Sequence, residues 1–245
     1  MSSDDGHSSR RDFLTGVIAL GPAVVTLAAG ASLESAGREA PLSGAPAPNQ
    51  PAADDYRPTF FTPAEWLFIN AACARLIPAD EHGPGAIDTG VPQYIDRQMS
   101  TPWAEGASWY MQGPFFEAPA EFGYQSQLTP KQQFRLGIRA IDRLCQEHLG
   151  QAFAGLTSTQ QDDVLHQIEK GSLDSPEIHL TTFFSSFLLK YVMEGYFCDP
   201  MYGGNKDMAA WKMIGHPGAR ADYLDWVGES KPYPYGPVGI YGEHG

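Results

Sequence analysis

The chain is poor in cysteine, poor in basic charge, and lacks most of the short motifs that mark catalytic or cofactor-binding proteins. Three cysteines in 245 residues, Cys73, Cys145 and Cys198, cannot ligate a four-cysteine iron–sulfur cluster, and no C-x-x-C-H run offers a covalent haem site. H-E-x-x-H is absent, and no serine sits in a G-x-S-x-G turn. Gly236, Gly239 and Gly242 are regularly spaced. A dinucleotide needs such glycines between a strand and a helix, and neither pattern flanks them. Asp163 and His166 form half of the paired acid-x-x-His arrangement of di-metal bundles; alone, they read as a solvated helix face. His82, His148, His179 and His216 are scattered. Sixteen basic residues face 29 acidic ones, with no basic cluster, which argues against nucleic acid and anionic membrane surfaces as partners. The expectation is a chain with no catalytic, cofactor-binding or metal-binding residue of its own.

Long hydrophobic runs are nearly absent too. The one apolar stretch follows Arg10 and Arg11 and opens with Phe13 and Leu14; Gly16, Gly21 and Pro22 interrupt it. It is weaker than the ~20 apolar residues a spanning helix requires. Small residues close it at Ala29-Gly30-Ala31. This pattern predicts a twin-arginine export signal over residues 1–31 with cleavage after Ala31, and an uncleaved anchor is the alternative. The twin-arginine route carries folded proteins, usually because a cofactor has been inserted first, and that is at odds with the missing cofactor motifs. A folded partner carrying the cofactor would resolve the conflict. Residues 32–58, rich in Pro, Ala and Gly, read as a flexible linker.

From residue 59 the pattern is helical. Thr62-Pro63-x-Glu65 and Thr129-Pro130 carry N-cap signals with the favoured proline, ahead of apolar residues at helical spacing. Pro78 ends the first of these helices and Gly150 the second. A short helix is expected from Val91 to Met99, started by Thr89 or Gly90, and another within residues 156–171, with Val164, Leu165 and Ile168 inward. The segment from Pro176 to about Phe197 is apolar nearly all round (Phe183, Phe184, Phe187, Leu188, Tyr191, Val192), the mark of a buried central helix. Asn205 caps a further helix, and a short last one lies near residues 218–228. No strand pattern appears. The expected class is all-α: one helical domain over 59–228, with an aromatic-rich loop at 101–128 and an extended Pro-, Gly- and Tyr-rich tail at 229–245.

In an oxidising compartment two of the three cysteines would tend to pair. Sequence alone does not choose the pair; Cys73 with Cys198 is favoured because both lie at or near helix ends, where geometry adapts.

The block from Gly195 to Val227 contains Tyr202-Gly203-Gly204-Asn205-Lys206-Asp207, then Trp211-Lys212, then Gly215-His216-Pro217-Gly218-Ala219-Arg220. It resembles the signature of the gluconate 2-dehydrogenase small (gamma, or subunit 3) family. Residues 60–80 and 128–142 resemble that family's first and middle helices. The resemblance covers roughly residues 59–228 plus the twin-arginine signal. It implies an oxidoreductase complex in which this chain is non-catalytic. A large FAD-containing subunit of the glucose–methanol–choline type would oxidise the substrate, and a cytochrome c subunit carrying haem c would take the electrons. The small subunit would escort the signal-less flavoprotein to the periplasm and reach the inner membrane only through the complex. Gluconate is the expected substrate; fructose, glucose, sorbitol and 2-ketogluconate are served by relatives. Away from the resemblance, a free-standing periplasmic binding protein and an enzyme with an unrecognised site remain open.

Aromatic side chains are the natural anchors for such a partner. Trp103, Trp109, Phe115 and Phe116 in the loop, Tyr202 and Trp211 in the signature block, and Tyr233 and Tyr235 in the tail are the candidate interface residues. Two alternatives stand beside this: the loop could cap the domain's own core, and the signature block could be an internal corner of the fold.

Overall fold

The computed structural model describes residues 56–116, 119–122 and 125–245, all within one unit spanning Pro46–Gly245. The expected signal, with Arg10, Arg11, Phe13, Leu14, Ala29 and Ala31, lies outside the described residues, as does most of the expected linker. The helices are α1 (Pro63–Leu76), α2 (Val91–Met99), α3 (Pro130–Leu149), α4 (Ser158–Glu169), α5 (Leu180–Phe183), α6 (Lys190–Phe197) and α7 (Ala209–Ile214). Short 3-10 turns join them. Among the described residues there are isolated β-bridges but no strand, so the all-α expectation holds.

Three helices start in the same way. Thr62, Thr129 and Thr157 each accept the backbone N–H three residues on, and Glu65, Gln132 and Gln160 reach back to the cap N–H. Each box satisfies two donors that a helix start leaves orphaned. The inner faces then stack. Phe68, Ile69, Ala72 and Cys73 of α1 are buried, as are Phe134, Ile138, Ile141 and Cys145 of α3. Arg75 holds Asp162 through two 2.7 Å bonds and ties α1 to α4. At Gly137 an added Cβ would lie 2.5 Å from the Phe183 ring, so the missing side chain is what lets α3 approach α5.

The central helix is buried as expected but differs in two respects. It begins at Leu180 rather than Pro176, because Asp174 accepts the Leu180 N–H at 3.0 Å and residues 175–178 form a turn. Between α5 and α6 the backbone runs on as a π-helix, Phe184–Leu189. Phe183, Phe184, Phe187, Leu188, Tyr191 and Val192 are all in the core. For α2, Gly90 is the cap, at φ 79°, while the Thr89 hydroxyl turns inward to the Gly85 carbonyl. The last expected helix is a 3-10 turn, Ala221–Trp226.

The cysteines are a correction. Cys73, Cys145 and Cys198 are all free, so the Cys73–Cys198 bridge is not formed. Cys73 sits fully buried on the inner face of α1. The Cys198 thiol instead donates to the Gly195 carbonyl at 3.3 Å.

Candidate interaction surface

The signature block forms a corner after α6. Asp199 caps the turn Pro200–Tyr202 by accepting the Met201 N–H. Gly203 follows at φ 96°, and an added Cβ there would lie 2.2 Å from Arg97 Nη1. At Gly204 the added atom would fall 2.1 Å from the Gly195 carbonyl oxygen. Both positions need glycine, one for handedness and space and the other for space alone. Asn205 is fully buried and bonds in both directions: Nδ2 donates to the Cys198 carbonyl at 2.9 Å, and Oδ1 accepts the Ala210 N–H at 2.9 Å. Asn205, Asp207 and Met208 all have positive φ, which is uncommon for residues with side chains. Because of this the expected Asn205-capped helix is not continuous. A 3-10 turn, Lys206–Met208, comes first, and α7 begins at Ala209.

Trp211 is corrected from interface to core. It is 6% exposed, and its indole N–H donates to the Phe197 carbonyl at 2.7 Å. The tail makes backbone hydrogen bonds to the corner. The Val238 carbonyl accepts the Ala219 N–H, the Val238 N–H donates to the Pro217 carbonyl, and the Ile240 N–H donates to Asp199 Oδ2. The far half of the tail is thereby laid over the corner. Nearer its start, Tyr233 is half-buried against Trp226 and donates to Asp222, while Tyr235 is exposed. Arg220 lies over both tyrosine rings.

The aromatic loop divides in two. Trp103 packs on Tyr191 of α6 at 5.7 Å between ring centroids, and Trp109 packs edge-on to Trp103 at 5.3 Å. That half caps the domain's own core. Beyond it, Tyr110 and Phe116 are 82% and 70% exposed, and Phe115 and Phe122 are exposed as well. Tyr202 adds a part-exposed ring at the corner. Leu224 and Val227, which no sequence signal singled out, are strongly exposed as well. No periodicity separates such residues from core, because they lie outside regular helices.

Chemistry is sparse here. Among the described residues no group of three or more His, Cys, Asp or Glu side chains is placed to hold a metal. His166 pairs with Glu169 at 3.4 Å on the exposed face of α4. Burial pushes the Cys73 thiol far up and the Cys145 and Cys198 thiols up to about 12, so burial favours the protonated thiol at all three. Partial desolvation also raises the Glu194 carboxyl, although its side chain is 42% exposed, and Lys190 and a 3.5 Å contact from the Tyr94 hydroxyl oppose the shift. Among the described residues no helix is long and apolar enough to cross a membrane. What the molecule presents is a set of exposed aromatic side chains in the loop, at the corner and in the tail.

No curated protein and no solved structure matches the chain. Residues 63–218 match the family described as gluconate 2-dehydrogenase subunit 3. The matched span runs from the first residue of α1 to the glycine beneath the tail, and takes in the whole corner. It covers more than half of the 245 residues, and the chain belongs to the gluconate 2-dehydrogenase subunit 3 family.

Proposed function

We propose that this chain is the non-catalytic small subunit of a periplasmic FAD-dependent gluconate 2-dehydrogenase, and that it escorts the flavoprotein through twin-arginine export and stabilises it afterwards. Membership of the subunit 3 family is the observation that carries this reading. The Arg10-Arg11 pair ahead of an apolar run supports the export route. Exposed Tyr110, Phe115, Phe116 and Phe122, with Tyr202 and Tyr235, supply anchors for a large partner. The flavoprotein holds FAD and the substrate pocket, and a cytochrome c subunit carries the haem and links the complex to the inner membrane.

The test is co-expression with the flavoprotein followed by fractionation. Replacing Arg10 and Arg11 by Lys is expected to hold both chains in the cytoplasm. A flavoprotein that still reaches the periplasm would refute the escort role. Affinity purification of the native complex, a flavin spectrum of the eluate and a panel of gluconate, 2-ketogluconate, fructose, glucose and sorbitol then identify the substrate.

A further inference from the structure

The first described residues, Tyr56–Phe61, form a strap across α2, and its seat is a single carboxylate. Asp96 is fully buried. Its Oδ2 accepts the Tyr56 hydroxyl at 2.8 Å, the Thr59 N–H at 2.7 Å and the Thr59 hydroxyl at 2.9 Å. Its Oδ1 accepts the N–H groups of Phe60 and Phe61, both at 3.0 Å. A buried carboxylate is tolerated only when its lone pairs are met, and here the strap supplies five donors. Neighbouring helices complete the seat. Trp66 of α1 lies 5.6 Å from the Tyr56 ring. Arg135 of α3 donates to the Phe60 carbonyl at 2.6 Å and lies over its ring at 4.1 Å. Arg97 of α2 lies over Tyr56 at 5.6 Å and packs its guanidinium against Gly203 of the corner. The seat therefore exists only once α1, α2, α3 and the corner have come together.

We propose that Asp96 is a positioning residue: it clamps the Tyr56–Phe61 strap to the assembled domain and fixes the point from which the export leader departs, beside the Arg97–Gly203 contact. The inference rests on the export reading above. Tyr56, the first residue of the strap, lies against Arg97, which packs on Gly203 of the corner, next in sequence to exposed Tyr202. The seat and exposed Tyr202 thus belong to the same folded unit, and the seat is available only on a folded chain.

The test uses the full chain co-expressed with its flavoprotein, in three forms: unaltered, Asp96→Asn, and Tyr56→Phe with Thr59→Val. Asp96→Asn turns an acceptor into a donor facing N–H groups. The double change removes two donors from the exposed strap and leaves the core residue in place, so it reports even if Asp96→Asn fails to fold. In the purified unaltered chain the Thr59, Phe60 and Phe61 amides are expected to exchange at least about 100-fold more slowly than in an unstructured peptide. Asp96→Asn should lose at least about tenfold of that protection, and the double variant should lose part of it. In both, the ratio of periplasmic flavoprotein to periplasmic small subunit should fall severalfold, whereas a merely structural role would leave that ratio unchanged. Unprotected amides in the unaltered chain, or a loosened strap with a normal ratio, would overturn the clamp. Arg10→Lys with Arg11→Lys separates the two ideas. If it leaves export intact, the export reading fails and the clamp's role in export fails with it. If it blocks export while the strap variants carry cargo normally, the clamp alone fails.

Discussion

The indole N–H of Trp211 donates to the carbonyl oxygen of Phe197 at 2.7 Å, so the tryptophan of the family block ties α7 to the end of α6. It satisfies a carbonyl that the helix terminus would leave open, and it fills the space beneath Gly218. The first prediction follows directly. Trp211→Ala should destabilise the chain by about 3–5 kcal/mol, as for other buried large aromatics. Trp211→Phe keeps the ring and loses the bond, and should cost about 1–2 kcal/mol. Urea unfolding of the purified subunit measures both. A Trp211→Ala variant of unchanged stability with weakened flavoprotein binding would return this residue to the interface.

Gly204 makes a sharper case. Its added Cβ would press on the Gly195 carbonyl oxygen, which is backbone and cannot swing aside. Gly204→Ala should cost about 1–3 kcal/mol. Gly215 has a positive φ and nothing within 4 Å of an added Cβ, so Gly215→Ala should show only the handedness penalty of about 1 kcal/mol. Comparing the two denaturation midpoints separates crowding from φ.

The two halves of the aromatic loop should respond in opposite ways. Trp103→Ala and Trp109→Ala remove rings stacked toward Tyr191 and should lower stability, Trp103 by on the order of 2 kcal/mol. Phe116→Ala removes an exposed ring and should leave the isolated subunit within about 0.5 kcal/mol. If the flavoprotein seats on this loop, Phe116→Ala should weaken its binding by about 2 kcal/mol. Calorimetric melting and surface-immobilised binding of the same three variants give the two readouts.

The pH dependence should carry a Glu194 component. Desolvation raises its folded-state pKa above the ordinary 4.5. The folded chain therefore binds this proton more tightly than the unfolded chain. The resulting stabilisation is complete below the unfolded pKa and is lost as pH rises through the folded one. Asp142, also raised by burial, acts in the same direction, and Asp174, lowered mainly by the Leu180 N–H, acts in the opposite one. Subtracting the Glu194→Gln melting curve from that of the unaltered chain cancels both. The difference should favour the unaltered chain progressively as pH falls from neutral toward about 4.5. A flat difference would place Glu194 in full contact with solvent.

Thiol counting tests the free cysteines. Alkylation without reductant should label all three after unfolding, and before unfolding should spare Cys73 and Cys145, which are buried. Two missing labels after unfolding would restore a disulfide.

Helix starts were the most legible part of the sequence, because a capping box is local: Thr62 with Glu65, and Thr129 followed by Pro130, declare themselves within four residues. The buried central helix was legible from composition, since apolar residues all round leave it no solvent face. Its π-helical middle and its start at Leu180 were not, because packing against α3 and the Asp174 bond set them. Aromatics were the hardest to read. Trp211, Trp103 and Phe116 look alike as residue types in Gly- and Pro-rich surroundings, yet one is core, one a cap and one exposed. That difference depends on where Phe197, Tyr191 and the tail lie in space. Asp96 shows the same limit: on a helix it reads as one more surface acid, and only the return of Tyr56–Phe61 across α2 makes it a buried acceptor of five hydrogen bonds. Local hydrogen bonding and side-chain periodicity are written along the chain, whereas the partners of a buried polar group or a lone aromatic ring come from residues tens of positions away and exist only after folding.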